Sequence, residues 1–281
     1  INIGKGSFSS CRSLKEIMIP SSIKSIGKNF EECNELRKII IIDDEKVIED
    51  YALQHLKTVE EIILPSTIEI IGLNSFEGCT SLKELIIPPS VTTIKDSSFQ
   101  NCCKLTHITI PDSVLEIGSN SFSECSSLEE ITLSSNIQSI SNSLFYHCSS
   151  LKQIIIPDSV NQIDSKAFKG CSSLNEIVIP KSVKEIGEES FSGCSSLNII
   201  KIYCPNINIG KGSFSGCRSL KEIMIPSSIK SIGKNFEECK KLRKIMIIND
   251  EKVIEDYAFR YLKTVEEIVL PSTIEIIGLN S

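Results

Sequence analysis

The sequence predicts an α/β solenoid: about twelve units of 22 or 23 residues, each contributing one strand to a parallel β-sheet face. Two observations carry that expectation. An aromatic or leucine column recurs at Phe8, Phe30, Leu53, Phe76, Phe99, Phe122, Phe145, Phe168, Phe191, Phe214, Phe236 and Phe259, and a fixed period of this length is the signature of stacked repeats. Counted from each column residue, apolar positions recur at offsets 0, 3, 6, 9, 11, 15 and 18, which in one unit are Phe145, Cys148, Leu151, Ile154, Ile156, Val160 and Ile163.

Each part of the unit has its own reason. Offsets 0, 3 and 6 suit a short helical or 3₁₀ turn, whereas offsets 9 and 11 alternate as a strand does, near Gln153 to Ile156. The Pro-x-Ser step that follows, as in Pro157-Asp158-Ser159, ends the pairing and turns the chain, because proline has no amide to donate to a ladder. At offset 14 stand Ser22, Asp44, Thr67, Ser90, Ser113, Asn136, Ser159, Ser182, Pro205, Ser228, Asp250 and Thr273. All but one carry a side-chain oxygen, and the column is expected to form an internal polar ladder to the turn amides of neighbouring coils; an exposed polar turn is the alternative.

A lone unit cannot hold itself together, since seven apolar side chains offset only part of the ordering entropy of its backbone. Stacking covers both open faces, so residues 1–281 are expected to form a single repeat domain that is a fragment of a longer array. A longer repeat overlies the short one. Residues 1–75 and 207–281 match at an offset of 206 with nine differences, which is the mark of a duplicated block of nine units. Asn34, Glu35, Asp43 and Gln54 become Lys240, Lys241, Asn249 and Arg260, while inward positions change mildly, as Leu53 to Phe259 and Ile63 to Val269.

Composition excludes several classes of function. A net charge of −6 with no dense Lys/Arg run lacks the footprint of a nucleic-acid or anionic-lipid binder. Isoleucine runs such as Ile39 to Ile42 are far shorter than a membrane span. No leader or anchor pattern is read, and no N-x-S/T acceptor occurs despite abundant Asn and Ser.

Ten of the twelve cysteines occupy offset 3: Cys11, Cys33, Cys79, Cys102, Cys125, Cys148, Cys171, Cys194, Cys217 and Cys239. A linear column without any C-x-x-C cannot converge on a tetrahedral metal. Leu56 and Leu262 fill the same slot, so buried free thiols are expected rather than disulfides. Cys103 and Cys204 lie outside the column, Cys204 before Pro205 in what reads as an exposed turn, and they are predicted to be the more reactive thiols, with incidental surface cysteines as the favoured alternative. His55, His107 and His147 stand at different offsets in different units, and no catalytic arrangement, metal site or cofactor site is expected. Gly210-Lys211-Gly212 lacks the ending of a phosphate loop and reads as an ordinary turn. Glu129-Glu130 and Glu188-Glu189 read as solvated acids.

The outward face of the strands is more informative. Offset 10 is mostly apolar and offset 8 mostly acidic, which places Ile63, Ile86, Thr109, Thr132, Ile155 and Val178 beside Glu61, Glu84, Glu130 and Glu176 as a candidate partner-binding face. Plain β-propensity on a sheet is the competing explanation.

The pattern C-x-x-L-x-x-I-x-I-P-x-S-V-x-x-I-G-x-x-x-F, nearly intact from Cys102 to Phe122 and recurring throughout, resembles the BspA-like leucine-rich repeat family. The resemblance implies a non-enzymatic surface antigen or adhesin, on the cell surface or secreted, that binds host proteins such as those of the extracellular matrix. An intracellular scaffold using the same face is the alternative, favoured by the free thiols and the missing glycosylation acceptors. The pattern departs from the family at Phe30 to Ala52, at Phe236 to Ala258 and at Tyr203 to Ile209, where local irregularity is expected.

Overall fold

The computed structural model describes residues 6–23, 26–42, 46–204, 207–226, 232–248, 253–254, 256, 258–260 and 262–280. Alternating Ile-rich segments form parallel strands at the predicted step, and the resulting architecture is a leucine-rich repeat β-solenoid. Two compact units divide the chain, one of residues 1–137 and 147–149 and the other of 138–146 and 150–281.

In the first unit, strands Glu16–Pro20, Lys38–Ile42 and Glu61–Ile63 pair in parallel, and so do His107–Thr109 and Glu130–Thr132. A second sheet, not foreseen from the sequence, joins the two-residue strands Val47–Ile48, Ile70–Ile71, Thr93–Ile94 and Glu116–Ile117. In the second unit Glu176–Ile179 pairs with Ile199–Ile202, and Glu222–Pro226, Lys244–Ile248 and Glu267–Val269 form a three-stranded sheet. Its short strands are Ser139–Ile140, Gln162–Ile163, Glu185–Ile186 and Asn208–Ile209, with Val253–Ile254 pairing Ile276–Ile277. Asp44, Pro205, Ser228, Asp250 and the changed pair Asp43/Asn249 lie outside the described residues. Beside them, Val47–Ile48 pairs with Ile70–Ile71 and Asn208–Ile209 with Glu185–Ile186, so the short strand at each of these departures keeps a partner on one side.

Two expectations need correction. Ten full strands occupy the predicted step among the described residues, not twelve: at Glu84 the strand shrinks to one bridge with Glu61, and at Gln153 to one bridged residue. The fold is also β rather than α/β. Among the described residues helix is confined to Gly27–Phe30, a 3₁₀ turn, and Ile232–Asn235. The reason is local. Residues two before and two after the phenylalanine take positive φ, as Ser97 (53°) and Asn101 (60°) do around Phe99, and Asn120 (58°) and Glu124 (61°) around Phe122. A right-handed helix cannot pass through such residues, so the segment is a tight turn three residues long.

Phenylalanines stack from coil to coil. Phe76–Phe99 and Phe99–Phe122 centroids lie 5.1 and 5.2 Å apart in the first unit, and Phe168–Phe191 5.1 Å apart in the second. These rings are fully buried and add offset-stacking energy to apolar burial. Close stacking also explains particular glycines. A Cβ on Gly118 would sit 2.3 Å from the Asp96 amide nitrogen of the preceding coil, so no side chain fits there without moving backbone.

Candidate protein-binding face

Strand alternation sends every second side chain outward. In the first unit Ile62 is buried while its neighbours Glu61 and Ile63 face out, and Thr109, Thr132, Glu84 and Glu130 are exposed. Ile86 is 84% exposed, against 40% for Ile63. In the second unit Ile177 and Ile179 are buried between the outward Glu176 and Val178, and Ile155 is 85% exposed. All ten sequence-predicted residues therefore reach the surface. The two most exposed isoleucines belong to the two units whose strand is reduced to a bridge.

At each of these places the surface is indented. In the first unit Ile63, Leu64, Ile86 and Pro89 line a cleft of about 300 Å³ with Glu61 and Glu84 at its side. In the second, Ile155, Val178, Pro180 and the half-exposed Tyr203 line one of about 720 Å³, with Asp158 and Lys181 at its margin.

The acidic column is less charged than its sequence suggests. Lys38 reaches from one coil to Glu61 of the next at 3.0 Å, and Lys201 to Glu176 at 2.8 Å. Glu60, just behind the column, accepts from Lys83 at 2.5 Å, and that ammonium holds its carboxyl below the usual carboxylate range. Among the described residues, Glu16, Glu84 and Glu130 thus carry the unpaired acidic charge of this column in the first unit.

Behind the face runs a ladder that the sequence disclosed only as a column. Each buried thiol of the offset-3 column donates to the carbonyl of the column residue one coil back: Cys102 to Phe76 (3.3 Å), Cys125 to Phe99 (3.1 Å) and Cys148 to Phe122 (3.0 Å). In the second unit Cys171, Cys194 and Cys217 do the same to Phe145, Phe168 and Phe191 at 3.1, 3.2 and 3.4 Å. Cysteine thus supplies a small apolar body and a weak donor together, which accounts for its choice over alanine or valine. All twelve cysteines are free.

Two thiols differ from expectation. Cys11, in the column, is exposed. Cys204, predicted to be reactive, is buried; its thiol donates to the Pro180 carbonyl at 2.8 Å, and burial pushes its pKa up. Its segment still follows strand Ile199–Ile202 into the wall of the solenoid. Cys103 is half-buried, its sulfur 3.4 Å from the Asn101 carbonyl oxygen.

The offset-14 column is only partly the expected ladder. Ser90 does bond the preceding coil, but by donating to the Ile68 carbonyl at 2.6 Å, while the hydroxyls of Ser113 and Ser182 are buried without a partner. A turn amide is met by an aspartate instead where Asp112 accepts from Ser135 at 2.8 Å, and in the separate turn before the phenylalanine Asp96 accepts from Ser119 at 2.7 Å. A deeper serine column stands just before the phenylalanine. Ser98 and Ser121, both fully buried, donate 2.9 Å to the carbonyls of Gly72 and Lys95 one coil back. This column was visible as S-F in six of the twelve units but lacked any cue that it faced inward.

No group of acidic, His and Cys side chains that could hold a metal occurs among the described residues. His55, His107 and His147 are exposed on separate coils. Gly210 belongs to a stacking turn, since a Cβ there would lie 2.5 Å from the Glu188 amide nitrogen. No helix is long and apolar enough to cross a membrane among the described residues.

Parallel strands at a 22–23-residue period, a stacked aromatic column and an inward thiol ladder define a leucine-rich repeat protein. More closely, the chain belongs to the BspA type Leucine rich repeat region family, which matches in six copies over residues 1–102, 46–175 and 161–281. No curated protein matches the chain. Among solved structures, a leucine-rich repeat protein from Bacteroides ovatus is 25% identical with a TM-score of 0.63, covering 94% of this chain and 83% of that one. A leucine rich cell surface protein from Faecalibacterium prausnitzii is also 25% identical, with a TM-score of 0.50 and coverage of 92% and 79%. The pneumococcal vaccine antigen PcpA shares the fold at 22% identity and a TM-score of 0.54, over 95% of this chain and 68% of that one.

Proposed function

We propose that this chain is a non-enzymatic protein-binding array that works at the cell surface as an adhesin or antigen, engaging host surface or extracellular-matrix proteins through the outward strand face. The observation that carries the reading is the pair of apolar clefts built around Ile86 and Ile155, each with an isoleucine more than four-fifths exposed. Large apolar side chains held out on the sheet, beside the unpaired Glu84 in the first unit, supply the anchor and the orienting charge that protein recognition uses. The surface setting is supported by the leucine rich cell surface protein among its structural relatives. Ile63, Ile86, Thr109 and Thr132 with Glu61, Glu84 and Glu130 form the proposed contact set of the first unit, and Ile155 and Val178 with Glu176 that of the second.

The test has two arms. Protease shaving and antibody staining of intact source cells, against permeabilised ones, should give signal on intact cells; signal only after permeabilisation would transfer the proposal to an intracellular scaffold. Immobilised host matrix and surface proteins should bind the chain and lose it on I63D/I86D/I155D. Burying one isoleucine is worth about 2 kcal/mol, so each substitution should weaken binding by about thirty-fold with the circular dichroism unchanged. Undiminished binding by the triple variant would remove this face as the site.

A further inference from the structure

All three methionines of the chain lie in one column. Met18, Met224 and Met246 all stand at the outward offset-10 position, and none is in the core. Met18 is 60% and Met224 39% exposed, and Met246 is half-buried. In the second unit Met224 and Met246 are register partners on adjacent parallel strands, with Val269 beside them, so their side chains leave the same face from backbones about 4.8 Å apart. In the first unit the register partner of Met18 is Ile40.

The other sulfur of the chain is arranged in the opposite way. Cys33, Cys79, Cys102, Cys125, Cys148, Cys171, Cys194, Cys217 and Cys239 are buried, and Cys204 with them. Thiol oxidation by a peroxide proceeds through the thiolate, and burial suppresses ionisation in this column. A thioether needs no ionisation to react.

We propose that the outward methionines are an oxidation site, at which hydroperoxides convert Met18, Met224 and Met246 to sulfoxides and so turn an apolar stretch of the strand face polar while the core thiols stay reduced. In each event a sulfur lone pair attacks one peroxide oxygen. The S–O bond forms as the O–O bond breaks, sulfur is oxidised by two electrons, and the peroxide is reduced to water with hydrogen peroxide, or to an alcohol with an organic hydroperoxide. A methionine sulfoxide reductase would restore the thioether at the expense of a dithiol, which leaves as a disulfide with water. The second unit, with two adjacent thioethers on paired strands, loses more apolar character than the first. Any consequence for partner binding rests on the proposed function, whereas the oxidation and its effect on surface polarity do not.

The experiment uses the full chain with Cys11 and Cys103 replaced by serine, treated with graded hydrogen peroxide. Peptide mass mapping should show one added oxygen on each methionine, with Met18 and Met224 ahead of Met246, at doses that leave every buried cysteine alkylatable after denaturation. Retention on a phenyl column should fall on oxidation and recover with methionine sulfoxide reductases A and B. Circular dichroism and the urea midpoint should not move, because the oxidised atoms are outside the core. The M18L/M224L/M246L variant should keep its retention at every dose. Core cysteines oxidised at the same dose, a fully sulfoxidised chain with unchanged retention, or loss of the circular dichroism on methionine oxidation would each overturn the proposal. If these hold but host-protein binding is unaffected by oxidation, the oxidation site stands and the proposed binding face fails at these positions.

Discussion

Raising the pH should dismantle this solenoid through its thiol ladder. Burial pushes Cys79, Cys194 and Cys239 up to about 12 from an ordinary value of 9.0. Above pH 9 the unfolded chain releases these protons while the folded chain keeps them, so the folded state binds more protons and stability falls as pH rises. The stability is fully present below pH 9 and is lost progressively up to about pH 12. Each such thiol contributes a slope of about 1.4 kcal/mol per pH unit, and the three together about 4. Cys102, Cys125 and Cys217, raised further by the same burial, steepen it. Urea midpoints by far-ultraviolet circular dichroism, measured under reductant from pH 8.5 to 11, give the slope. Cys79→Ala isolates one thiol: the small cavity it leaves costs the same at every pH, so only the slope changes, becoming shallower by about 1.4 kcal/mol per unit. Every group other than Cys79 is common to both proteins, so the difference between them isolates that one thiol. An unchanged slope in the variant, or thiolate absorbance growing by pH 10 in a folded chain whose Cys11 and Cys103 are replaced by serine, would refute the reasoning.

Phe99→Ala should cost about 3 to 5 kcal/mol, since the ring is fully buried and stacked on Phe76 and Phe122. Phe99→Leu should cost only about 1 to 2 kcal/mol, because Leu53 occupies the same column fully buried; equal urea midpoints for the two variants would contradict the stacking account. At the left-handed turn position, Glu124→Gly should stabilise by up to about 1 kcal/mol and Gly170→Ala destabilise by a similar amount, given φ of 61° and 80° there. Thermal melts of the pair check the opposite signs.

The parts of this fold legible in the sequence are those written as columns of one residue type. Phe76, Phe99 and Phe122, the thiols from Cys79 to Cys148, and the alternation that buries Ile62 between Glu61 and Ile63 all stand where the period puts them. What was not legible depends on the neighbouring coil. Glu61 gives no sign in its own unit that Lys38 will neutralise it from the coil before. Lys166, Glu124 and His147 give no sign of adopting the conformation that Gly170 and Gly193 adopt freely, so the turn read as helical. Ile70–Ile71 and Thr93–Ile94 are too short to show a period, and become strands only because each finds the other. Cys204 follows an irregular sequence and was read as exposed, yet the strand before it delivers it to the inner wall.

The near-identical segments sort these interactions by how strictly they are kept. Exposed Asn34 and Glu35 become Lys240 and Lys241, but the ion pairs between coils recur: Lys38–Glu61 and Lys244–Glu267 are both 3.0 Å, and Arg37–Glu60 returns as Arg243–Glu266. Solvent-exposed pairs of this kind contribute at most about 1 kcal/mol each, so stability is a weak reason to keep them while neighbouring charges drift. Register is a stronger one. A slip of one residue between parallel strands would exchange the buried and outward faces, and these units offer near-identical isoleucine runs, Ile39 to Ile42 among them, in which several alignments bury similar area. A lysine that must meet a glutamate of the next coil penalises the slipped alignments and not the native one. By this argument Lys38 and Glu61 act less as adhesive than as an index mark that keeps Ile63 facing outward.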